Sequence, residues 1–149
     1  MAIARGAGTE IIRSVHLEDV DATPAVLIFG VQHHIYTVLS VSLYAHALNA
    51  TGNFCQLYIT GYDSTAGTTA QNTYLLNQVI ALHDTFVWND KFSFNGHEPT
   101  DFTGPMDSIA KQDAIADQGS AVAQKLVVVA EHASDSFEVT CTYIDQNNS

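Results

Sequence analysis

The sequence predicts an all-β fold, an antiparallel two-sheet sandwich of jelly-roll type with one short surface helix. Three observations carry that prediction. Apolar and polar residues alternate through segment after segment, the period of a strand with one buried face. Gly, Pro, Asn and Asp separate these segments at short intervals. Only one stretch has helix-forming composition, too little helix for the crossovers that parallel strands need, so the strands should pair antiparallel. The chain has 149 residues, 46% hydrophobic and 14% charged, enough to bury one core and unlike a disordered composition.

Residues 1–10 read as an N-terminal arm, rich in Gly and Ala, and residues 11–149 as a single β-sandwich domain without internal repeat or linker. Through Ser14 the chain carries Arg5 and Arg13, two of its five basic residues, against the one acid Glu10. Ile11 to Val20 is the first expected strand, ended by the turn residues Asp19 to Pro24. Ala25 to Gly30 is a short apolar run fit for a buried strand. Ile35 to Leu48 alternates, with Ile35, Thr37, Leu39, Val41, Leu43, Ala45 and Ala47 on one face, the side expected to be buried. Asn49 to Asn53 turns the chain, with Gly52 free to take a positive φ.

Phe54 to Tyr62 sets Cys55, Leu57 and Ile59 against Phe54, Tyr58 and Tyr62. A small polar loop follows, and Thr73 to Leu82 is read as a strand from its neighbours. After a break at Leu82-His83-Asp84, Thr85 to Phe94 places Phe86, Trp88, Phe92 and Phe94 on one face, where they should anchor the core. Asn95 to Val122 interrupts this rhythm with Pro99, Pro105 and several glycines. Within it, Asp107 to Gln118 is the expected surface helix, capped by Asp107 and stopped by Gly119. Lys125 to Glu131 and Ser136 to Ile144 read as a closing hairpin, with Phe137, Val139, Cys141 and Tyr143 facing one way.

Composition narrows function. Sixteen Asp and Glu against five Lys and Arg give a net charge of −11, which repels phosphate backbones and excludes nucleic acid as an expected partner. The same charge favours a basic partner surface. No secretory signal is visible, and no run approaches the roughly 20 apolar residues of a membrane span, so no membrane partner is expected. Asn49-Ala50-Thr51 matches a glycosylation sequon but reads as a turn. Cys55 and Cys141 are too few for a disulfide framework and read as reduced core thiols.

Catalytic constellations are missing from the sequence pattern. Of the seven histidines, His33 and His34 are adjacent, so on a strand their rings would point to opposite faces, unlike the His-x-His of a strand-borne metal site. Glu98, Asp101 and Asp107 share one loop but lack the alternating spacing of a calcium loop. No phosphate-binding Gly-rich loop or nucleophile elbow is present, so no metal, no cofactor and no enzymatic activity are expected.

The segment Leu75 to Phe94, a leucine-rich strand followed by a polar turn and an aromatic strand, resembles a broad family of small tailed-phage virion proteins. Thr37 to Tyr62 resembles that family's opening hairpin, and Ser134 to Gln146 its closing strand. The resemblance covers Tyr36 to Ile144 and departs from the family between Gly96 and Val122. It implies a virion structural protein, above all a head decoration (cement) protein on the capsid exterior, often a homotrimer, with the major capsid protein as partner. Arg5, Arg13, Glu98, Asp101 and Phe102 are then the expected partner-binding residues. A tail, neck or fibre adaptor is the neighbouring reading. A carbohydrate-binding sandwich using Tyr58, Tyr62 or Trp88 as a stacking platform is the alternative from another class.

Overall fold

The computed structural model describes residues 9–62, 70–99, 107–110, 112–113 and 121–147. Among them eleven strands follow one another: β1 (Thr9–Val20), β2 (Ala25–Phe29), β3 (His34–Ala47), β4 (Phe54–Tyr62), β5 (Ala70–Val79), β6 (Thr85–Trp88), β7 (Phe92–Asn95), β8 (His97–Pro99), β9 (Ala121–Ala123), β10 (Lys125–Ala130) and β11 (Ser136–Asn147). The first sheet has the order β1-β11-β3-β6, with β7 also on β3, and the second the order β2-β10-β4-β5. Every pairing is antiparallel. β1 to β4 pass from sheet to sheet in turn, β4 and β5 pair within the second sheet, and β10 and β11 return beside β2 and β1, so the two ends of the chain close on each other. That is the jelly-roll arrangement the alternation predicts.

The inner faces of the two sheets form one core. Phe137, Leu43, Leu57, Leu126, Val38, Val41, Val128, Val139, Cys55 and Cys141 are fully buried in it. Each large apolar side chain there stabilises the fold by about 1.5–3 kcal/mol relative to exposure. Phe86, Trp88 and Phe92 are half-buried against this cluster and Phe94 is buried, as their common face predicts. The strand that carries them is split: Asn89 to Lys91 leaves the ladder, and β6 and β7 pair separately with β3. Burial pushes both cysteine thiols up to about 12, aided at Cys55 by the Asp135 charge, and both thiols are free.

Several expectations are corrected by the register. On β3 the buried face changes parity: Tyr36 and Val38 point inward, then Val41, Leu43 and Ala45. The cause is a bulge at Leu39, since Tyr143 pairs with Val38 and Thr142 with Ser40. One extra residue flips every side chain beyond it to the opposite face. Ile35, Thr37 and Leu39 are therefore only half-buried. β5 runs three residues earlier than expected and ends before a turn in which His83 takes φ 67°.

The two expected hairpins are sheet-to-sheet crossings. β3 and β4 lie in different sheets, as do β10 and β11. Alternation alone cannot separate the two cases, because a strand with one buried face looks the same on either side of the core. Gly52 does take a positive φ, 95°, in the first of these turns. The irregular region after Asn95 is pinned at both ends by the pairing of β8 with β9. Of the expected helix, residues 109–110 and 112–113 are helical and Ile109 is 78% exposed; the remaining residues to Gln118 lie outside the described set.

The ends of the sandwich are closed by polar contacts. At one end the buried carboxylate of Asp135 accepts hydrogen bonds from the Asn49 N–H (2.7 Å), the Asn53 amide (3.0 and 3.2 Å) and the His132 N–H (3.0 Å). One side chain thereby ties both crossing turns together. At the other end, Gly30 and Gly96 both bond to the backbone of Gln124, whose amide reaches the Asn95 carbonyl.

Candidate interaction surfaces

The outward faces of the two sheets differ in chemistry. On the β2-β10-β4-β5 sheet, the register aligns Val26, Val127, Tyr58 and Tyr74 in a row across all four strands. Val127 and Tyr58 are buried, whereas Val26 is 42% and Tyr74 57% exposed. The Tyr58 and Tyr74 rings lie 5.4 Å apart, and desolvation raises the Tyr58 phenol above its ordinary value. The next row holds Phe29, Lys125, Thr60 and Asn72, with the Lys125 ammonium 5.3 Å from the Phe29 ring centre. That cation–π contact covers part of an exposed aromatic.

The outward face of the other sheet is rich in hydroxyls. Ser14 and Thr142 are 3.3 Å apart, the His16 Nδ1 lies 2.8 Å from the Thr140 hydroxyl, and Thr37 and Ser93 are 2.9 Å apart. Ile12 and Val87 stand out on this face as exposed apolar side chains. Such a surface offers hydrogen bonds and a few apolar anchors beside the acids Glu10, Glu18 and Glu138.

The inner face of the first sheet ends in a polar cluster that the bulge at Leu39 creates. By turning Tyr36 and His34 inward, the bulge sets them on the same side as Asp145 of β11 and Arg13 of β1. Asp145 is 4% exposed; its carboxylate lies 2.6 Å from the His34 Nδ1 and 3.4 Å from the Arg13 Nε. The Tyr36 hydroxyl accepts the Val31 N–H at 3.1 Å. Burial raises the Tyr36 and Tyr143 phenols above their ordinary value, with the Asp145 charge adding to both. A buried carboxylate held between the Arg13 guanidinium and the His34 ring closes this end of the sandwich; removing Arg13 would take away the formal charge that compensates it. At the far end, Leu48, Val79, Ile80 and Leu82 line an open groove of about 610 Å³ between two turns.

Of the residues the sequence singles out, Arg13 is therefore on β1, half-exposed and directed to Asp145. Glu98 lies on β8, opposite Val122. Arg5, Asp101 and Phe102 lie outside the described residues. Among the described residues, no three His, Cys, Asp or Glu side chains converge as a metal site would require. His33 sits in the turn before β3 with φ 66°, and His34 is engaged by Asp145. The sequence reading missed Asp145 and the Tyr74 row. Both were encoded in alternation, but only the pairing register shows which residues meet.

No protein-family model matches the chain, and no curated protein matches it. Among solved structures that align with the chain, two are similar over nearly its whole length. One is the Bacillus endospore appendage protein described as forming disulfide-linked pili, 16% identical, with a TM-score of 0.43 over 100% of this chain and 97% of that one. The other is a chain of the T13 IBDV viral particle, 9% identical, with a TM-score of 0.49; the match covers 98% of this chain and 33% of the particle protein. Both proteins belong to assembled structures, a pilus and a virus particle. Similarity this distant assigns no role to the present chain.

Proposed function

We propose that the chain is a non-enzymatic structural subunit of an assembled particle and, within that class, a capsid decoration protein bridging neighbouring major capsid subunits. The observation that carries this reading is the placement of its exposed apolar side chains. Val26, Phe29 and Tyr74 stand on the outward face of one sheet, and Ile12 and Val87 on that of the other. Apolar groups presented on the outside of both layers of a sandwich fit lateral packing against other subunits. The acidic balance then favours basic partner surfaces and the slightly basic arm of a neighbour.

The resemblance of Thr37 to Tyr62, Tyr74 to Phe94 and Ser134 to Gln146 to small tailed-phage virion proteins supports the capsid exterior and a trimeric assembly. In this reading Arg5 docks on a neighbour, while Glu98 on β8, together with Asp101 and Phe102, meets the capsid. Arg13 acts from β1, where its contact with Asp145 fixes the start of the strand that leads out of the arm. Because Thr9 already pairs with Asn147, a clean test deletes residues 1–8 only. The truncated chain should fold normally and be lost from purified particles; full occupancy would refute the docking role. Copy number separates head from tail, since a decoration protein is present in hundreds of copies and a tail or neck adaptor in far fewer.

The carbohydrate-binding reading is less well supported. The Trp88 ring packs against the core and its Nε1 donates to the Asp90 carbonyl at 2.7 Å. Tyr58 is 8% exposed. Neither ring is fully exposed, and the Tyr62 side chain lies outside the described residues.

A further inference from the structure

We propose that β5 is a self-association edge: two copies pair through it, antiparallel and about a two-fold axis near Tyr74, merging their four-stranded sheets into one. This inference rests on reading the chain as an assembling subunit, sets a two-fold contact in place of the trimer that the resemblance implies, and names the surface and the partner, a second copy. Among the described residues β5 ends its sheet, so alternate backbone N–H and C=O groups along it point away from β4. Proteins commonly guard such edges with charge, proline or short length. Three edges here are guarded in those ways. β1 carries Glu10, Arg13, Glu18 and Asp19; β2 has five residues and follows Pro24; β6 and β7 have four residues each, among Asp84, Asp90 and Lys91.

β5 has ten residues, none charged and none proline. The neutral stretch is longer than the strand, since no Asp, Glu, Lys or Arg occurs from Ser64 to Leu82. In a chain of net charge −11, two copies can meet there without opposing like charges.

Neutrality also identifies the occupant. About a two-fold axis the residues nearest the axis lie opposite or diagonal to their own symmetry mates, so an ionised side chain there would face its own charge. An edge shaped for a basic strand would instead carry acids. Gln71, Asn72, Thr73 and Tyr74 are all exposed, and the apolar row Val26–Val127–Tyr58–Tyr74 stops at this edge on a half-exposed ring. Pairing extends the row into the partner and covers that ring. The irregularity of β5, a bulge at Leu75, then sits beside its mate at the axis. Ala70 to Thr73 of one copy runs along Leu75 to Gln78 of the other.

The test is sedimentation velocity over a concentration series of the full chain, of Tyr74→Lys, of Tyr74→Glu and of their equimolar mixture. Circular dichroism checks that each variant is folded. The wild type should form a dimer. Each charged variant alone should dimerise at least about tenfold more weakly, because like charges are opposed across the axis. The mixture should recover a heterodimer, and Tyr74→Phe should behave as wild type. Variants that self-associate as tightly as wild type, or a mixture no tighter than its components, would overturn the β5 edge while leaving an assembling subunit intact. Growth beyond a dimer that the variants abolish would overturn the two-fold arrangement. A wild type that stays monomeric throughout would overturn the β5 edge, whereas the reading as a particle subunit fails only if the chain is missing from purified particles.

Discussion

Asp135 should be the most sensitive polar position in the molecule. It is 3% exposed and its two oxygens accept bonds from two backbone N–H groups and one side-chain amide, drawn from both crossing turns. A hydrogen bond to a charged acceptor contributes about 1.5–3 kcal/mol, and a donor left without an acceptor costs its desolvation. Water can reach part of this site once the carboxylate is gone, which recovers some of the loss. Asp135→Ala should therefore cost about 3–4 kcal/mol. For a domain of this size, each kcal/mol corresponds to roughly 2–4 °C in Tm, so the midpoint should fall by about 6–16 °C. Asp135→Asn keeps one acceptor but turns an amide toward other donors, and should cost about half as much. Urea denaturation followed by tryptophan fluorescence measures both. A loss below about 1 kcal/mol for Asp135→Ala would refute the idea that this carboxylate holds the two turns together.

Three further outcomes are expected. Gly96→Ala would drive a methyl group into the Val31 carbonyl, and Gly30→Ala one into the Gly96 carbonyl; each backbone clash should cost about 2–3 kcal/mol in the same denaturation experiment. Cys55 and Cys141, buried and with thiols pushed up to about 12, should resist a thiol reagent at neutral pH in the folded chain and react promptly in denaturant. Fast labelling of the native protein would contradict their burial. Tyr36, Tyr58 and Tyr143 have phenols raised in the folded state, so stability should be intact below pH 10 and decline as the pH rises through their folded values. A stability that stays flat through this alkaline range would contradict that burial.

Much of the fold is written in the alternation of side chains. The inward set Cys55-Leu57-Ile59, the shared face of Phe86, Trp88, Phe92 and Phe94, and the turn at Gly52 all follow from local chemistry. What alternation does not encode is which sheet a strand joins. β10 and β11 look like a hairpin because a turn joins two strands, yet the turn at His132 to Asp135 carries the chain across the sandwich. Nor does it encode a bulge: the extra residue at Leu39 looks like one more alternating position until β11 is laid beside it. The candidate surfaces share that limit. Val26, Val127, Tyr58 and Tyr74 are far apart in the chain and become a row only through pairing. Asp145, polar on an otherwise apolar face, is the one residue whose oddity could have flagged the buried cluster beforehand.

Electron cryomicroscopy of purified particles that carry this chain would address its role most directly. The account predicts jelly-roll densities repeated on a regular lattice, touching their neighbours through outward sheet faces and strand edges, with the core undisturbed. Particles on which the chain occupies no ordered, repeated position would contradict it.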